Sequence, residues 1–403
     1  MAVTLAELII LGLLVDWLLR RLHCPGLVGM LALGMLCGPF VLGLMDERML
    51  AISGDLRQIA LIAILLRAGL QLSRSQLTRI GGRALLLAFV PACMEILAIT
   101  LIAPLLLGLS RAESVLLGCV VAAVSPAVVV PMMLRFMDER RGTAKAIPSL
   151  VLAAASVDDV FVIVVFGIAL NLYLSGSTQG AAVLGQLATV PVAIVLGIAI
   201  GAILGWLLHR FFVHANPRAT KRVLILLGLS ILLLRLQDQI AGHLPFAALL
   251  SIMTAGFILL ERDEAMAHEI SAKLAKIWIL AEILLFTLVG AEVDLAVAWT
   301  CGLAGAAVIA CGLSARALAT LACLIRSPLL GRERAVVVVA FMPKATVQAA
   351  IGGIPLLAMT SAGMDPRPGS VILAVAVLSI ILTAAPGAWA INLLGRRFLE
   401  VET

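Results

Sequence analysis

The sequence predicts an all-α membrane protein that crosses the bilayer many times. Of its 403 residues, 63% are hydrophobic and only 13% are charged, whereas soluble domains average about 45–50% apolar and about 25% charged residues. A water-soluble core could not bury so much apolar surface. The formal net charge of +6 does not indicate a nucleic-acid partner, because the basic residues lie in short loops between apolar segments, as membrane topology requires.

Thirteen segments are long and apolar enough to cross a bilayer as helices, for which about 20 residues are needed. We call them spans 1 to 13, and the connections between them are short. In chain order they cover residues 3–20, 26–44, 57–73, 84–107, 113–135, 146–174, 181–208, 221–237, 243–261, 271–293, 299–325, 335–360 and 370–395.

Lys and Arg are divided unequally between the two sides of the predicted membrane. The segments that follow odd-numbered spans hold 21 of these residues, and the opposite side holds five. Cytoplasmic loops carry an excess of Lys and Arg. We therefore predict a multi-pass protein of the cell (inner) membrane, with its N-terminus outside and its C-terminus in the cytoplasm.

Three landmarks recur in the same order in the two halves of the chain. Gly69 ends span 3 and Gly290 ends span 10; 26 residues later lie Glu95 in span 4 and Arg316 in span 11. Proline-containing segments follow at a similar offset in spans 5 and 12. Spans 1–6 therefore repeat as spans 8–13. A shift of seven spans reverses the direction of crossing, so we predict two inverted six-helix repeats, which are typical of secondary transporters.

Spans 5 and 12 are predicted to be broken helices. Pro126 and Pro131 interrupt span 5 and Pro343 interrupts span 12, and proline removes a backbone donor and disfavours helix before it. We expect the two breaks to cross near the midplane, where half-helix ends bring together partial charges of both signs. Lys344 would neutralise the converging carbonyls there. An ordinary proline kink in either span is the alternative.

Asp158 and Asp159 stand in the middle of an apolar segment, where each charge costs roughly 2.5–3.5 kcal/mol. Adjacent helical residues point about 100° apart, so one carboxylate can face the crossing while the other faces span 4 or 11. A carboxylate buried beside a second one holds a proton more readily than an exposed one. We predict a shared site for a proton or an alkali cation, with oxygen ligands from Asp158, Asp159, Ser125 and Ser156 and from carbonyls near Pro126.

Glu95 and Arg316 occupy equivalent positions in the two repeats, and a two-fold axis in the membrane plane would bring them together. Each is the most obvious partner of the other. The alternative pairs Arg316 with Asp158. Because arginine keeps its proton in proteins, Arg316 can fix only charge and geometry. A purely structural cluster, in which Arg316 and Lys344 satisfy both aspartates, is a further alternative.

These motifs resemble the monovalent cation:proton antiporter superfamily, and within it the NHA branch of sodium/proton antiporters. The likeness rests on the pair Asp158-Asp159 and on the segments 125–131 (SPAVVVP), 289–293 (VGAEV) and 342–350 (MPKATVQAA). The resemblance implies the sodium/proton antiporter fold, a homodimer in the lipid bilayer, and an ion-binding role for Asp159 with Asp158 beside it. The glutamate of span 4 and the basic residue of span 11 in that family fall on Glu95 and Arg316.

The resemblance also implies a division of the chain. Residues 1–80 and 213–297 would form the dimerisation domain, residues 81–175 and 298–403 the mobile core, and residues 176–212 the linker helix. The predicted function is exchange of Na⁺ or Li⁺ for H⁺ by an elevator-type movement of the core, with K⁺/H⁺ exchange as the alternative. No enzyme activity and no resident cofactor are predicted.

The sequence is compatible with two stoichiometries. Electrogenic antiporters with two aspartates carry a lysine where this chain has Arg316, and that lysine is proposed to exchange a proton with the first aspartate. If Glu95 holds Arg316, Asp158 is free to titrate and two protons could move per cation. The departure at Arg316 favours electroneutral exchange through Asp159 alone.

Overall fold

The computed structural model describes residues 2–21, 26–71, 74, 82–175, 180–240 and 247–401. Within these residues the regular structure is entirely helical, and the one β-type contact is an isolated bridge between Arg141 and Val401. The prediction of an all-α protein is therefore confirmed. One end of predicted spans 3 and 9 and the predicted domain boundary at residues 80/81 lie outside the described residues.

Seventeen helices lie in the described part of the chain. The first eight are α1 (Ala2–Arg21), α2 (Gly26–Cys37), α3 (Glu47–Ala51), α4 (Ser53–Gly69), α5 (Gly82–Leu107), α6 (Arg111–Ala122), α7 (Pro126–Asp138) and α8 (Ile147–Leu174). The other nine are α9 (Gly180–Ala215), α10 (Ala219–Ile240), α11 (Ala248–Arg262), α12 (Glu264–Ala291), α13 (Leu295–Leu324), α14 (Gly331–Ala340), α15 (Thr346–Ile351), α16 (Ile354–Ser361) and α17 (Arg367–Phe398).

Seven of the described helices are long and apolar enough to cross a membrane. They are α1, α5, α8, the later part of α9, α12, α13 and α17. Shorter apolar helices cover Gly26–Cys37 and Thr346–Ser361. Several apolar helices thus support a protein that spans the membrane repeatedly, whereas the total of thirteen crossings stays a prediction.

The structure departs from the predicted boundaries at span 2. Helix α2 ends at Cys37 rather than at residue 44. Pro39 follows closely and cannot donate a backbone hydrogen bond, and Gly43 adopts a left-handed conformation with φ 61°, which glycine tolerates without strain. Asp46 then caps α3 by accepting a hydrogen bond from the Arg48 N–H at 2.9 Å. The apolar character of residues 38–45 therefore does not extend the helix.

The helices that carry the candidate site residues lie side by side. Helix α5 packs along α13, and α6 and α8 pack against α5 and against each other. A second group forms where α12 packs against α2 and α4. Glycine allows backbones to touch there: a side chain on Gly34 would overlap the Thr287 carbonyl, and one on Gly290 would overlap the Leu31 carbonyl. Small residues at helix contacts are typical of membrane proteins.

Candidate functional site

Two interruptions in the helices meet inside the protein. Residues 123–125 separate α6 from α7, and residues 341–345 separate α14 from α15. The Ser125 N–H donates a hydrogen bond to the Pro343 carbonyl at 2.8 Å, which joins the two interruptions directly. Each interruption ends one helix and starts another, so carbonyls and N–H groups without partners in their own helices collect at this crossing.

Lys344 lies at the crossing and is fully buried. Its Nζ donates to Glu95 Oε2 at 2.8 Å and to the Ala122 carbonyl at 3.2 Å. Its backbone N–H donates to Thr383 Oγ1 at 2.8 Å. A cation at the C-terminal end of α6 is favourable because the exposed carbonyls of a helix end carry partial negative charge.

Arg316 binds both of the partners that the sequence offered as alternatives. Its Nε donates to Glu95 Oε2, and its Nη2 donates to Asp158 Oδ1 at 2.7 Å and to the Ala122 carbonyl. Arg316, Glu95 and Asp158 are all fully buried. A guanidinium has five N–H donors in a planar fork, so one arginine can serve two carboxylates. The two predicted pairings are therefore not exclusive.

Asp158 and Asp159 have different surroundings although they are adjacent. Both oxygens of Asp158 are hydrogen-bonded, because Oδ1 accepts from Arg316 and Oδ2 accepts from the Val124 N–H at 2.9 Å. Asp159 is also buried, with 4% of its surface exposed, but its Oδ1 has no hydrogen-bond partner among the described residues. Asp158 thus supports the first interruption, and Asp159 keeps an oxygen available.

Two hydroxyl oxygens are, like Asp159 Oδ1, buried without a hydrogen-bond partner among the described residues. Ser125 Oγ and Thr346 Oγ1 are buried and have no hydrogen-bond partner in the described structure. Ser125 is the N-cap residue of α7, where a serine hydroxyl ordinarily accepts a hydrogen bond from the first turn, yet it makes no such bond. Each buried oxygen left unpaired costs about 1–3 kcal/mol, and oxygen atoms are the ligands that hard cations prefer.

The formal charges of the five ionisable side chains at the crossing do not cancel. These side chains are Glu95, Asp158, Asp159, Arg316 and Lys344. Three carboxylates face two cations, so the cluster has a formal charge of −1 when all five groups are ionised. Glu95 Oε1 is also without a partner, but the other oxygen of Glu95 already binds both Arg316 and Lys344. Asp159 forms no ion pair with any described residue. One proton or one monovalent cation at Asp159 would neutralise the cluster.

The remaining predicted site residues have mixed outcomes. Pro126 is the first residue of α7 and lies at the interruption. Pro131 was expected to break the helix, but it lies inside α7, which continues to Asp138. A proline in this position removes one hydrogen bond, and membrane proteins tolerate such a loss when other groups satisfy the freed carbonyl. Ser156 belongs to α8, and its side chain lies outside the described residues.

Gln348 is a site residue that the sequence analysis missed. Its Nε2 donates to the carbonyls of Val121 at 3.1 Å and Ala123 at 2.7 Å, and its Oε1 accepts from the Ala345 N–H at 2.8 Å. One side-chain amide therefore satisfies backbone groups of both interruptions. The sequence did contain a signal for it, because Gln348 is a polar residue in an otherwise apolar segment, two residues after Lys-Ala-Thr.

Thr346 was also missed, and the repeat could have identified it. Glu95 and Arg316 are 221 residues apart, and the same interval leads from Ser125 to Thr346. Two hydroxyl residues thus occupy equivalent positions in the two predicted repeats. Both have an unpaired buried oxygen, so the sequence relation and the structural observation agree.

The chain is similar to known proteins in sequence and in fold. The profile of the family described as "Sodium/hydrogen exchanger, transmembrane" matches residues 8–389. The chain belongs to this family. It is 35% identical to human sodium/hydrogen exchanger 9B2 over 354 residues, which cover 86% of this chain and 64% of that protein. It is 30% identical to human sodium/hydrogen exchanger 9B1 over 354 residues, covering 86% of this chain and 67% of the relative.

The fold of this exchanger-family chain is also found among solved structures. The sodium proton antiporter MjNhaP1 from Methanocaldococcus jannaschii superposes with a TM-score of 0.83 and covers 98% of this chain and 97% of its own. The sequence identity is 23%, so the likeness concerns the fold. The chain spans just under two thirds of the length of the 9B2 relatives.

The shared carboxylate of Glu95 provides a test of the cluster. Glu95→Gln removes the group that Arg316 and Lys344 both contact, so two buried cations lose a partner. We expect a loss of about 3–5 kcal/mol in the free energy of unfolding, measured as a lower midpoint of thermal or denaturant unfolding in detergent.

A matched control uses a surface pair. Glu400 contacts Arg332 at 3.0 Å, and 72% of its side chain is exposed. Glu400→Gln removes the same charge from a solvated position, where an ion pair contributes about 0–1 kcal/mol. Equal shifts in the two variants would contradict the assigned importance of the buried cluster.

Proposed function

We propose that this chain exchanges Na⁺ or Li⁺ for H⁺ across a membrane, and that Asp159 holds either the proton or the cation. The observation that carries the proposal is the unpaired, buried Oδ1 of Asp159 in a cluster whose formal charge is −1. Every other charged group of the cluster contacts an oppositely charged side chain. The uncompensated negative charge of the cluster is therefore that of Asp159.

The cation ligands that we propose are oxygens of Asp159, Ser125 and Thr346. All three residues have a buried oxygen without a hydrogen-bond partner, and the interruption next to Ser125 supplies carbonyls. Asp158 has a positioning role here, since both of its oxygens already accept hydrogen bonds. The contribution of Ser156 stays a prediction.

Coupling of the two ion fluxes follows from the charge of the cluster. With a proton or one alkali cation bound, the five side chains sum to zero, whereas the empty site has a charge of −1. Moving an uncompensated charge through the apolar interior is costly. We propose that only the two loaded forms cross, so each outward movement of one ion requires an inward movement of the other.

The stoichiometry that we propose is one proton per cation. Arg316 keeps its proton and binds Asp158 and Glu95 together. This arrangement holds Asp158 in its ionised form, because a buried guanidinium that lost a partner would be strongly destabilised. Asp159 is then the one carboxylate that alternates, and the exchange is electroneutral.

The movement that we propose is of the elevator type. The mobile core would comprise residues 81–175 and 298–403, carried against a dimerisation domain of residues 1–80 and 213–297 in a homodimer, with residues 176–212 as the linker. The proposed chain crosses the inner membrane thirteen times and contains two inverted six-helix repeats. Its N-terminus would lie outside and its C-terminus in the cytoplasm. The likeness to MjNhaP1 supports the overall fold in which this movement would take place.

Sodium is the cation that we favour over potassium. The family is described by sodium/hydrogen exchange, and the names of the relatives state the same activity. Potassium/proton exchange by the same fold remains the second candidate because both ions have the same charge and accept the same oxygen ligands.

The direct test is ion-driven proton movement in proteoliposomes that contain the purified chain. We expect Na⁺ or Li⁺ to drive proton movement in the wild type and Asp159→Asn to abolish it, because an amide can hold neither the proton nor the charge. Asp365→Asn is the matched control, since Asp365 is exposed and caps the backbone N–H of Arg367. Full activity of Asp159→Asn would refute the site. A response to K⁺ that exceeds the response to Na⁺ would select the second candidate.

Electroneutral exchange predicts an insensitivity to membrane potential. If two protons moved per cation, one net charge would cross per cycle, and 100 mV would change the driving force by about 2.3 kcal/mol. We expect the rate of Na⁺-driven proton movement to be the same at imposed potentials of either sign. A rate that rises with one sign of potential and falls with the other would establish a second titrating group.

A further inference from the structure

A second, partly buried charge cluster shares no residue with the crossing. Glu292 directly follows the last residue of α12. Arg57 of α4 donates a hydrogen bond from Nη2 to Glu292 Oε1 at 2.9 Å. The Ser53 hydroxyl donates to the same oxygen, and Arg57 Nε donates to the Ser53 carbonyl at 3.3 Å. Only 2% of Arg57 is exposed. This cluster therefore ties α4 to α12.

Half of this ion pair is left without a partner. Arg57 Nη1 and Glu292 Oε2 are both buried, and neither makes a hydrogen bond within the described residues. A β-carbon added to Gly353 would overlap Arg57 Nη1 and would lie 3.0 Å from Glu292 Oε2. The backbone of Gly353 thus lies directly against both unpaired atoms. Any side chain at this position would require the Arg57 guanidinium to shift from the position that its bonds to Glu292 and Ser53 give it.

Gly353 belongs to a different part of the protein. It lies at the joint between α15 and α16, nine residues after Lys344 in the same interrupted span. Helix α15 packs against both α4 and α12. In the proposed function, α4 and α12 belong to the dimerisation domain, and α15 and α16 belong to the mobile core. The contact therefore bridges the two parts that would move.

We propose that the Arg57–Glu292 pair and Gly353 form a closure latch between the mobile core and the dimerisation domain. The inference rests on the proposed function for its two moving parts. In the present conformation the bare backbone of Gly353 seats against Arg57 Nη1 and Glu292 Oε2. When the core moves, Gly353 leaves and these two atoms become free to bind water or each other. The contact of Gly353 with Arg57 and Glu292 would thus exist in the present conformation and be absent after the core has moved.

Two exposed positions report on the relative movement. Asp55 lies on α4 and Ser361 ends α16, and both residues are exposed. In the full chain with its seven native cysteines replaced, spin labels at these positions measure the distance between the two parts by double electron–electron resonance. The measurement reports populations of the conformations and does not depend on transport.

Gly353→Ala places a methyl group against the guanidinium in the present conformation alone. We expect it to shift the population toward a second distance by roughly threefold or more, the size of coupling typical of residues in contact. In an Arg57→Ala background the methyl group has no guanidinium to overlap. We expect Gly353→Ala to change the distances little in that background.

Gly54→Ala is the matched control at the same interface. A β-carbon on Gly54 would meet only Leu357 Cδ1 at 3.5 Å, an ordinary contact. We expect its distance distribution to match that of the wild type. If Gly353→Ala alone does not yield a monodisperse protein, recovery of that protein in the Arg57→Ala background supports the same overlap, and failure to recover it contradicts the latch.

An equal effect of Gly353→Ala with and without Arg57, or no effect in either background, would overturn the latch. Sodium-driven proton movement by the wild type is measured separately in proteoliposomes. If the wild type exchanges ions and the coupling is absent, the latch alone fails. If the wild type does not exchange ions but the coupling is present, the proposed function fails while the contact between the two parts stands.

Discussion

The structure depends on the burial of one guanidinium. Arg316 of α13 lies fully inside the protein and binds Glu95 of α5, Asp158 of α8 and the carbonyl of Ala122 at the end of α6. Four helices are therefore held around a charge that cannot be discharged. Removing one partner of a buried pair is strongly destabilising, so these helices must keep their relative positions. In the proposed exchange, the permanence of this charge leaves the variable charge of the cluster to Asp159.

The interrupted helices stay open because other groups take over their backbone hydrogen bonds. Lys344 and Gln348 bind carbonyls that α6 leaves without partners, and Asp158 accepts the N–H of Val124. Backbone without such partners is not tolerated at membrane depth. The hydroxyl oxygens of Ser125 and Thr346 take no part in these hydrogen bonds and have no partner among the described residues. The crossing therefore holds its backbone groups together and still presents unpaired oxygen atoms.

Much of this arrangement could be predicted from the sequence, and the rest depended on tertiary contacts. Apolar run length located the helices, and Pro126 marks an interruption, but Pro131 does not. The two prolines look alike in sequence, and only the structure shows that Pro126 begins α7 whereas Pro131 lies inside it. The partner of Arg316 could not be chosen because a guanidinium can bind two carboxylates. Thr346 was accessible through the 221-residue interval of the predicted repeat. The double role of Gln348 became visible only in the structure, where its side chain binds backbone groups of both interruptions.

The central claim is that Asp159 holds either a proton or an alkali cation. Binding of a metal ion to a protonated ligand releases the proton. Calorimetric titration of the detergent-solubilised chain with Na⁺, in buffers of different ionisation enthalpy, counts the protons released. At a pH where the site without Na⁺ is protonated, we expect one proton to be released per Na⁺ bound, and neither binding nor release in Asp159→Asn. Sodium binding without proton release, or unchanged release in Asp159→Asn, would contradict it.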